Sequence, residues 1–314
     1  MYYPQLVAGP IERPQNLLHQ FKQEHVFKFQ NFYRGLRLML YGFFMKLVVA
    51  DRLSIYVDAV YNHADHHSGT SLALATFFFA FQIYCDFAGY SSIAIGASRM
   101  MGIGLMTNFR RPYLSSSISE FWRRWHISLS TWFKDYVYIT LGGNRVKSVP
   151  RRYLNLLITF LISGFWHGAN WTYVIWGGLN GTYLIVESAL RPTALGRLTQ
   201  RASKVLKVIY VFVLIGFSWI FFRSKSLTEA TMIIGKILSL KGKLFVPPDP
   251  EILIYCLLAI FFISMIEVSY ELIYRRRKLT RFYPIVNYSF MLFLILCIAL
   301  FGVFNGGQFI YFQF

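Results

Sequence analysis

The residues best suited to chemistry are two histidines set among tryptophans. His167 lies in L-I-S-G-F-W-H-G-A-N-W-T-Y-V-I-W (residues 161–176), between two strongly apolar runs. An imidazole exchanges a proton near neutral pH, so it suits general acid–base work. The apolar run before it, residues 153–166, would rise only about 20 Å as a helix, against a hydrocarbon core of roughly 30 Å. Gly164, Gly168 and Asn170 mark a break in the helix. Irregular backbone at membrane depth is tolerated only where protein or a water-filled cavity surrounds it. Two readings follow from these residues. Either His167 stands in the wall of a cavity as a functional ionisable group, or it is a satisfied histidine in an interfacial loop held by tryptophan anchors.

His126 occupies S-E-F-W-R-R-W-H-I-S-L-S-T-W (119–132). Ser119 is placed to cap a helix, and Glu120 and Arg124 are four apart in the favourable order for a helix-surface pair. The aromatic and aliphatic residues make the segment 119–140 amphipathic, suited to dipping into a membrane rather than crossing it. His126 is then equally readable as an interfacial residue. Asp86, in Y-C-D-F-A-G-Y, lies inside the apolar run 72–101 with Gln82 and Arg99. It should face the interior, either in a structural pair with a base or hydroxyl or in the cavity itself. Gly89, Gly96, Gly102 and Gly104 would permit close helix approach. His63, Asp65, His66 and His67, in N-H-A-D-H-H-S-G, are metal-ligand types, but the segment reads as a solvated loop and no metal site is expected. Cys85, Cys256 and Cys297 fall inside apolar runs as small buried hydrophobes. The chain has no G-x-S-x-G elbow for a serine nucleophile.

The elements that must position these groups are membrane helices. Of 314 residues, 55% are hydrophobic, 19% aromatic and only 15% charged, and the mean hydropathy is +0.43. That composition predicts an all-α, polytopic membrane protein, one undivided domain over 1–314 without internal repeats. Stretches long enough to span fall at 72–101, 171–190, 205–222, 252–273 and 285–304. Shorter or amphipathic ones lie at 33–53, 119–140 and 153–166, the first carrying Arg34, Arg37, Lys46, Asp51 and Arg52 for interior pairing or an interfacial position. Pro4, Pro10 and Pro14 forbid a regular helix at the start, where Glu12 and Arg13 can pair locally or line a cavity mouth. No signal peptide is expected there.

The formal charge of +18 does not point to nucleic acid, because the bases cluster at the ends of apolar runs as the positive-inside rule requires. Arg145, Lys147, Arg151 and Arg152 precede the hairpin around His167, and Arg191, Arg197, Arg201, Lys204 and Lys207 follow it. Both clusters should be cytoplasmic, as should residues 275–278, which turns 166–171 away from the cytoplasm. Arg223, Lys225, Lys236, Lys241 and Lys243 disagree with this scheme. Their region is expected as a cytoplasmic amphipathic helix with a different crossing count.

Taken together the motifs resemble a known family. Q-L-V-A-G-P-I-E-R-P (5–14), Y-C-D-F-A-G-Y-S-S-I-A-I-G (84–96), N-F-R-R-P-Y-L (108–114), the tryptophan-rich segment 119–132, L-G-G-N-R (141–145), G-F-W-H-G-A-N-W (164–171) and F-I-Y-F-Q-F (309–314) are similar to those of the membrane-bound O-acyltransferase superfamily, in its branch of bacterial alginate O-acetyltransferases. The resemblance implies a ring of transmembrane and re-entrant helices around a central tunnel in the bacterial inner membrane. It implies His167 as the catalytic base and His126 as the second histidine. The reaction implied is transfer of an acyl group, foremost acetyl, from a cytoplasmic thioester such as acetyl-CoA or an acyl carrier to hydroxyls of an exported polysaccharide such as alginate.

On that reading Arg123 and Arg124 would hold donor phosphates or an acidic carrier protein, and Asp86, Asn170 and Trp166 would contact substrate. His126, Asn170 or an indole N–H would supply the oxyanion donor. No tightly bound cofactor and no nucleic acid are expected. The expected partners are the bilayer, the polysaccharide and periplasmic or membrane acetylation proteins. D-alanyl transfer from a carrier protein to teichoic acid is the alternative within the superfamily, and a non-catalytic channel or scaffold for polysaccharide secretion the alternative outside it. Two departures stand out. Relatives often carry histidine where this chain has Asn180 before Gly181, and further membrane helices ahead of G-P-I-E-R-P, so a fragment, a misplaced start or a short form completed by another chain is expected.

Overall fold

Among the described residues, six helices announce their own beginnings. In the computed structural model, Ser117, Ser148, Asn170, Thr193, Ser203 and Ser226 each accept a backbone N–H of the following first turn through the side chain. Each such cap is worth about 1 kcal/mol. The structure describes residues 2–6, 8–276, 283–305 and 309. In order, the helices are α1 (Pro14–Phe21), α2 (Phe29–Phe43), α3 (Asp51–Tyr61), α4 (Gly69–Met100), α5 (Ile118–Arg124), α6 (Ile127–Phe133), α7 (Val149–His167), α8 (Trp171–Leu190), α9 (Ala194–Arg201), α10 (Lys204–Arg223), α11 (Leu227–Ser239), α12 (Glu251–Arg276) and α13 (Tyr283–Phe301). Wider π-helical turns fill Phe44–Ala50 and Lys134–Tyr138. Among the described residues there is no strand.

Among the described residues, three helices are long and apolar enough to cross a membrane: Gly69–Met100, Lys204–Arg223 and Glu251–Leu272, with a shorter apolar helix at Tyr288–Phe301. The run expected to span at 171–190 is helical over those residues but is not among the three. Its Thr172, Asn180 and Glu187 dilute the apolar character. Of the basic run 275–278, Arg277 and Lys278 lie outside the described residues, as do residues 310–314 of the terminal motif.

The residues gather into two compact units, each assembled from separate stretches of chain. The first comprises residues 1–58, 78–109 and 246–313. Within it α2 and α4 meet through paired glycines. A Cβ on Gly35 would lie 2.5 Å from the Gly96 carbonyl oxygen, and one on Gly42 would lie 2.6 Å from that of Gly89. The close approach expected of Gly89 and Gly96 is thus present, whereas the nearest atom to a Cβ on Gly104 is 3.6 Å away. Lys46, in the π-helical turn, reaches Asp51 at 2.8 Å and Asp86 at 2.6 Å. The buried Asp86 is therefore paired with a base, one of its two expected settings. Arg52 donates to the Phe301 carbonyl at 2.8 Å, and Tyr84 donates to the buried Glu267.

The second unit comprises residues 59–77 and 110–245. Its centre is the α7–α8 hairpin, with α10 beside α8. The hairpin closes through glycine: a Cβ on Gly164 would overlap the Tyr173 carbonyl, and one on Gly177 the Phe160 carbonyl. α7 begins four residues before the expected 153, because Ser148 caps it and Pro150 fits its first turn. That turn carries Arg151 and Arg152, so the apolar length is still that of residues 153–166. The histidine-rich loop is an ordered cap at one edge. Lys236 donates to the carbonyls of Ala64 (3.0 Å), Asp65 (2.6 Å) and His67 (3.0 Å). Ser68 donates to that of Lys243 at 2.7 Å.

Candidate active site

His167 is the last residue of α7, and its ring is half-buried in an aromatic shell. Ring centroids of Trp166, Trp176 and Phe222 stand 5.0, 5.1 and 5.2 Å away, all edge-to-face. Behind them Trp176 stacks on Trp219 at 5.8 Å, and Trp219 meets Trp125 at 5.0 Å. The edge-to-face geometry is the one ring quadrupoles favour, and this shell fixes the imidazole plane.

His126 belongs to the same unit and arrives by a different route. The segment 119–140, expected as one amphipathic element, is broken at Trp125 and His126. Here α5 ends with the Trp125 N–H on the Phe121 carbonyl at 2.8 Å, and His126 turns into the left-handed region (φ +39, ψ +55) before α6 begins. For a residue with a Cβ that conformation costs about 1–2 kcal/mol. The ring is 4% exposed. Burial holds the His126 imidazole well below its ordinary value of 6.5, and His167 is close enough to lower it further. At neutral pH it is an uncharged ring beside a second imidazole.

The cap of α5 is Ser117, two residues before the expected Ser119. The expected pair forms, with Arg124 on Glu120 at 2.6 Å. Arg123 is exposed and donates to Ser119 Oγ at 2.7 Å. Asn170 caps α8, accepting from the Thr172 N–H at 3.1 Å and donating to the Lys225 carbonyl at 3.0 Å. Both ends of its amide thus have protein partners that fix the turn after His167. Trp166 lies against the imidazole while half of its surface is exposed. Asp86 belongs to the other unit.

The sequence allows an indole N–H as a donor without choosing one, and marks Asn180 only as a departure from relatives. Trp122 Nε1, Trp176 Nε1, Thr172 Oγ1 and Asn180 Oδ1 are buried without a hydrogen-bond partner. Leaving such an atom unpaired costs about 1–3 kcal/mol, so these four call for an explanation. Thr172, Trp176 and Asn180 are each at most 2% exposed and occupy successive turns of one face of α8. Trp122 meets Trp176 at 5.8 Å. The N–H of Trp219, by contrast, is taken by the Tyr113 hydroxyl at 3.2 Å. The i, i+4, i+8 spacing on α8 was the available signal. The arrangement offers a neutral imidazole, a second one nearby, and indole donors whose hydrogen bonds are not used by the protein.

Comparison with known proteins adds the following. Residues 1–225 match the sequence profile described as MBOAT, membrane-bound O-acyltransferase family. A probable alginate O-acetylase of Azotobacter vinelandii is 42% identical over 228 residues, 73% of this chain and 44% of that protein. A peptidoglycan O-acetyltransferase of Helicobacter pylori is 39% identical over 243 residues, 77% of this chain and 46% of that protein. A teichoic acid D-alanyltransferase of Streptococcus thermophilus is 29% identical over 203 residues, 60% of this chain and 48% of that protein. The chain spans less than half the length of each of these relatives.

Proposed function

Because the chain belongs to the membrane-bound O-acyltransferase family, we propose that it transfers an acetyl group from a thioester donor to a hydroxyl of an exported polysaccharide, with His167 as general base. The observation that carries this reading is the half-buried His167 ring beside the unpartnered indole N–H of Trp176. The acceptor hydroxyl gives its proton to the neutral imidazole as its oxygen attacks the donor carbonyl carbon. The negative charge that develops on the carbonyl oxygen is met by an N–H donor, for which Trp176 and Trp122 are the candidates. Collapse breaks the carbon–sulfur bond, and the departing thiolate takes the proton from His167. General-base help of this kind is worth about 10²–10⁴-fold. His126 supports the second half of the cycle as a neutral neighbour that raises no competing charge. Arg123, exposed on α5, is suited to the phosphates of a donor or an acidic carrier.

The same reading makes the chain a multi-pass inner-membrane domain spanning 1–314, in a ring of helices around a tunnel that donor and acceptor enter from opposite faces, with Arg124 and Trp166 along it. Periplasmic or membrane acetylation proteins would hand the polymer on. The names of the 42% and 39% identical relatives support acetyl and a polysaccharide acceptor. The 29% identical one keeps D-alanyl transfer as the second reading. Membranes holding the chain, supplied with labelled acetyl thioester or labelled D-alanyl carrier and isolated polymer, separate them. Acetyl label in polymer is the expected result. Alanine label alone would favour the second reading, and no label from either would favour a non-catalytic scaffold.

A further inference from the structure

Glu187 has no part in the chemistry above, yet its carboxylate meets the start of the helix that leads to His126. It sits in the last turn of α8, and its carboxylate accepts the Ile118 N–H at 2.6 Å and the Ser119 N–H at 3.4 Å. Ser117 Oγ accepts the Glu120 N–H at 3.0 Å and the Ser117 carbonyl accepts that of Phe121 at 3.0 Å. The N–H groups of Ile118, Ser119 and Glu120, which have no partner within their own helix, are thereby satisfied, two of them by a charge delivered from another helix. A carboxylate there also favours the positive end of the α5 dipole.

α5 is only seven residues long and ends in the strained turn that carries His126. α8 touches it a second time through Trp176 and Trp122. A two-point brace of this kind sets the axial position of α5 along α8, and α8 begins four residues after His167. We propose that Glu187 is a positioning residue that sets His126 relative to His167. This rests on the functional reading of His126 given above.

The test is a double-mutant cycle on acetyl transfer by the full chain. Glu187→Gln keeps the shape and one acceptor oxygen but removes the charge. It is expected to lower kcat about tenfold, within the coupling seen for groups acting as one unit, with KM for acceptor changed by less than about twofold. In a His126→Ala background the same substitution should be silent. Glu187→Asp, which keeps the charge on a shorter arm, should recover part of the rate and serves if Glu187→Gln folds poorly. Equal fold-losses in both backgrounds would overturn the proposal, since Glu187 would then act independently of His126. A His126→Ala protein at full rate would remove the reading of His126 itself. It would do so without any change at Glu187, which tells the two failures apart, and it would leave Glu187 nothing to act through.

Discussion

Gly177→Ala and Gly178→Ala place the same methyl group on neighbouring residues of α8, and opposite outcomes are expected. In a helix interior, glycine to alanine gains about 0.5–1 kcal/mol from backbone entropy alone. At Gly178 the nearest atom to a new Cβ is Leu161 Cδ2 at 3.4 Å, the far end of a flexible side chain. The gain should survive, and the variant should be as stable as wild type or slightly more. At Gly177 the new Cβ would overlap the Phe160 carbonyl oxygen and lie 3.1 Å from its carbon and 3.2 Å from Gly164 Cα. These are backbone atoms that cannot swing aside, so α7 and α8 must part. Overpacking of this kind costs about 1–3 kcal/mol, which outweighs the propensity gain and should lower Tm by several degrees. Phe160 and Gly164 lie in the last two turns before His167, so the rate should fall as well. Thermal unfolding in detergent and acetyl transfer, measured on both variants, check this. Equal Tm and equal rate for the two would refute the close-packed hairpin as the support of His167.

Two further outcomes follow from the site. Trp176→Phe keeps a ring against His167, Trp219 and Phe222 while removing the unpartnered N–H, so transfer should fall about 10²-fold with little loss of stability. Trp219→Phe removes an N–H already taken by Tyr113 and should lower the rate far less; equal effects would exclude the Trp176 indole as oxyanion donor. The depressed proton affinity of His126 gives a pH dependence whose sign is fixed. Below its ordinary value of 6.5 the unfolded chain binds a proton that the folded chain does not. Stability should therefore fall as pH drops from about 6.5, by at most about 1.4 kcal/mol per unit from this group, and be indifferent to it above. Tm of wild type and His126→Gln at pH 5 and 7 reads this directly: the variant should lose less on acidification, and identical losses would contradict the buried, neutral ring.

What was legible in the sequence was local. The break after His167, the Glu120–Arg124 spacing and the glycines of α4 all act within a few residues of themselves or on the adjoining helix face, whereas the one cap read from the sequence, Ser119, falls two residues past the actual cap, Ser117. The break at His126 was not legible, because a left-handed histidine inside an amphipathic run carries no mark in composition; packing imposes it. Nor could spacing tell which tryptophans would keep a free N–H. Trp219 finds Tyr113 more than a hundred residues away, while Trp176 finds none, and that difference exists only once the helices are assembled. Asn170 carried the opposite lesson. Its residue type suggested an oxyanion donor, but a helix N-cap is the commoner use of asparagine, and the structure uses it so.

The central claim is that the His167 imidazole takes the acceptor proton. Its most direct test is the rate of labelled acetyl transfer to polymer by His167→Ala, in membranes where the variant inserts to wild-type level and unfolds within a few degrees of wild type. A loss of at least about 10²-fold is expected. Polymer labelled at the wild-type rate would contradict it.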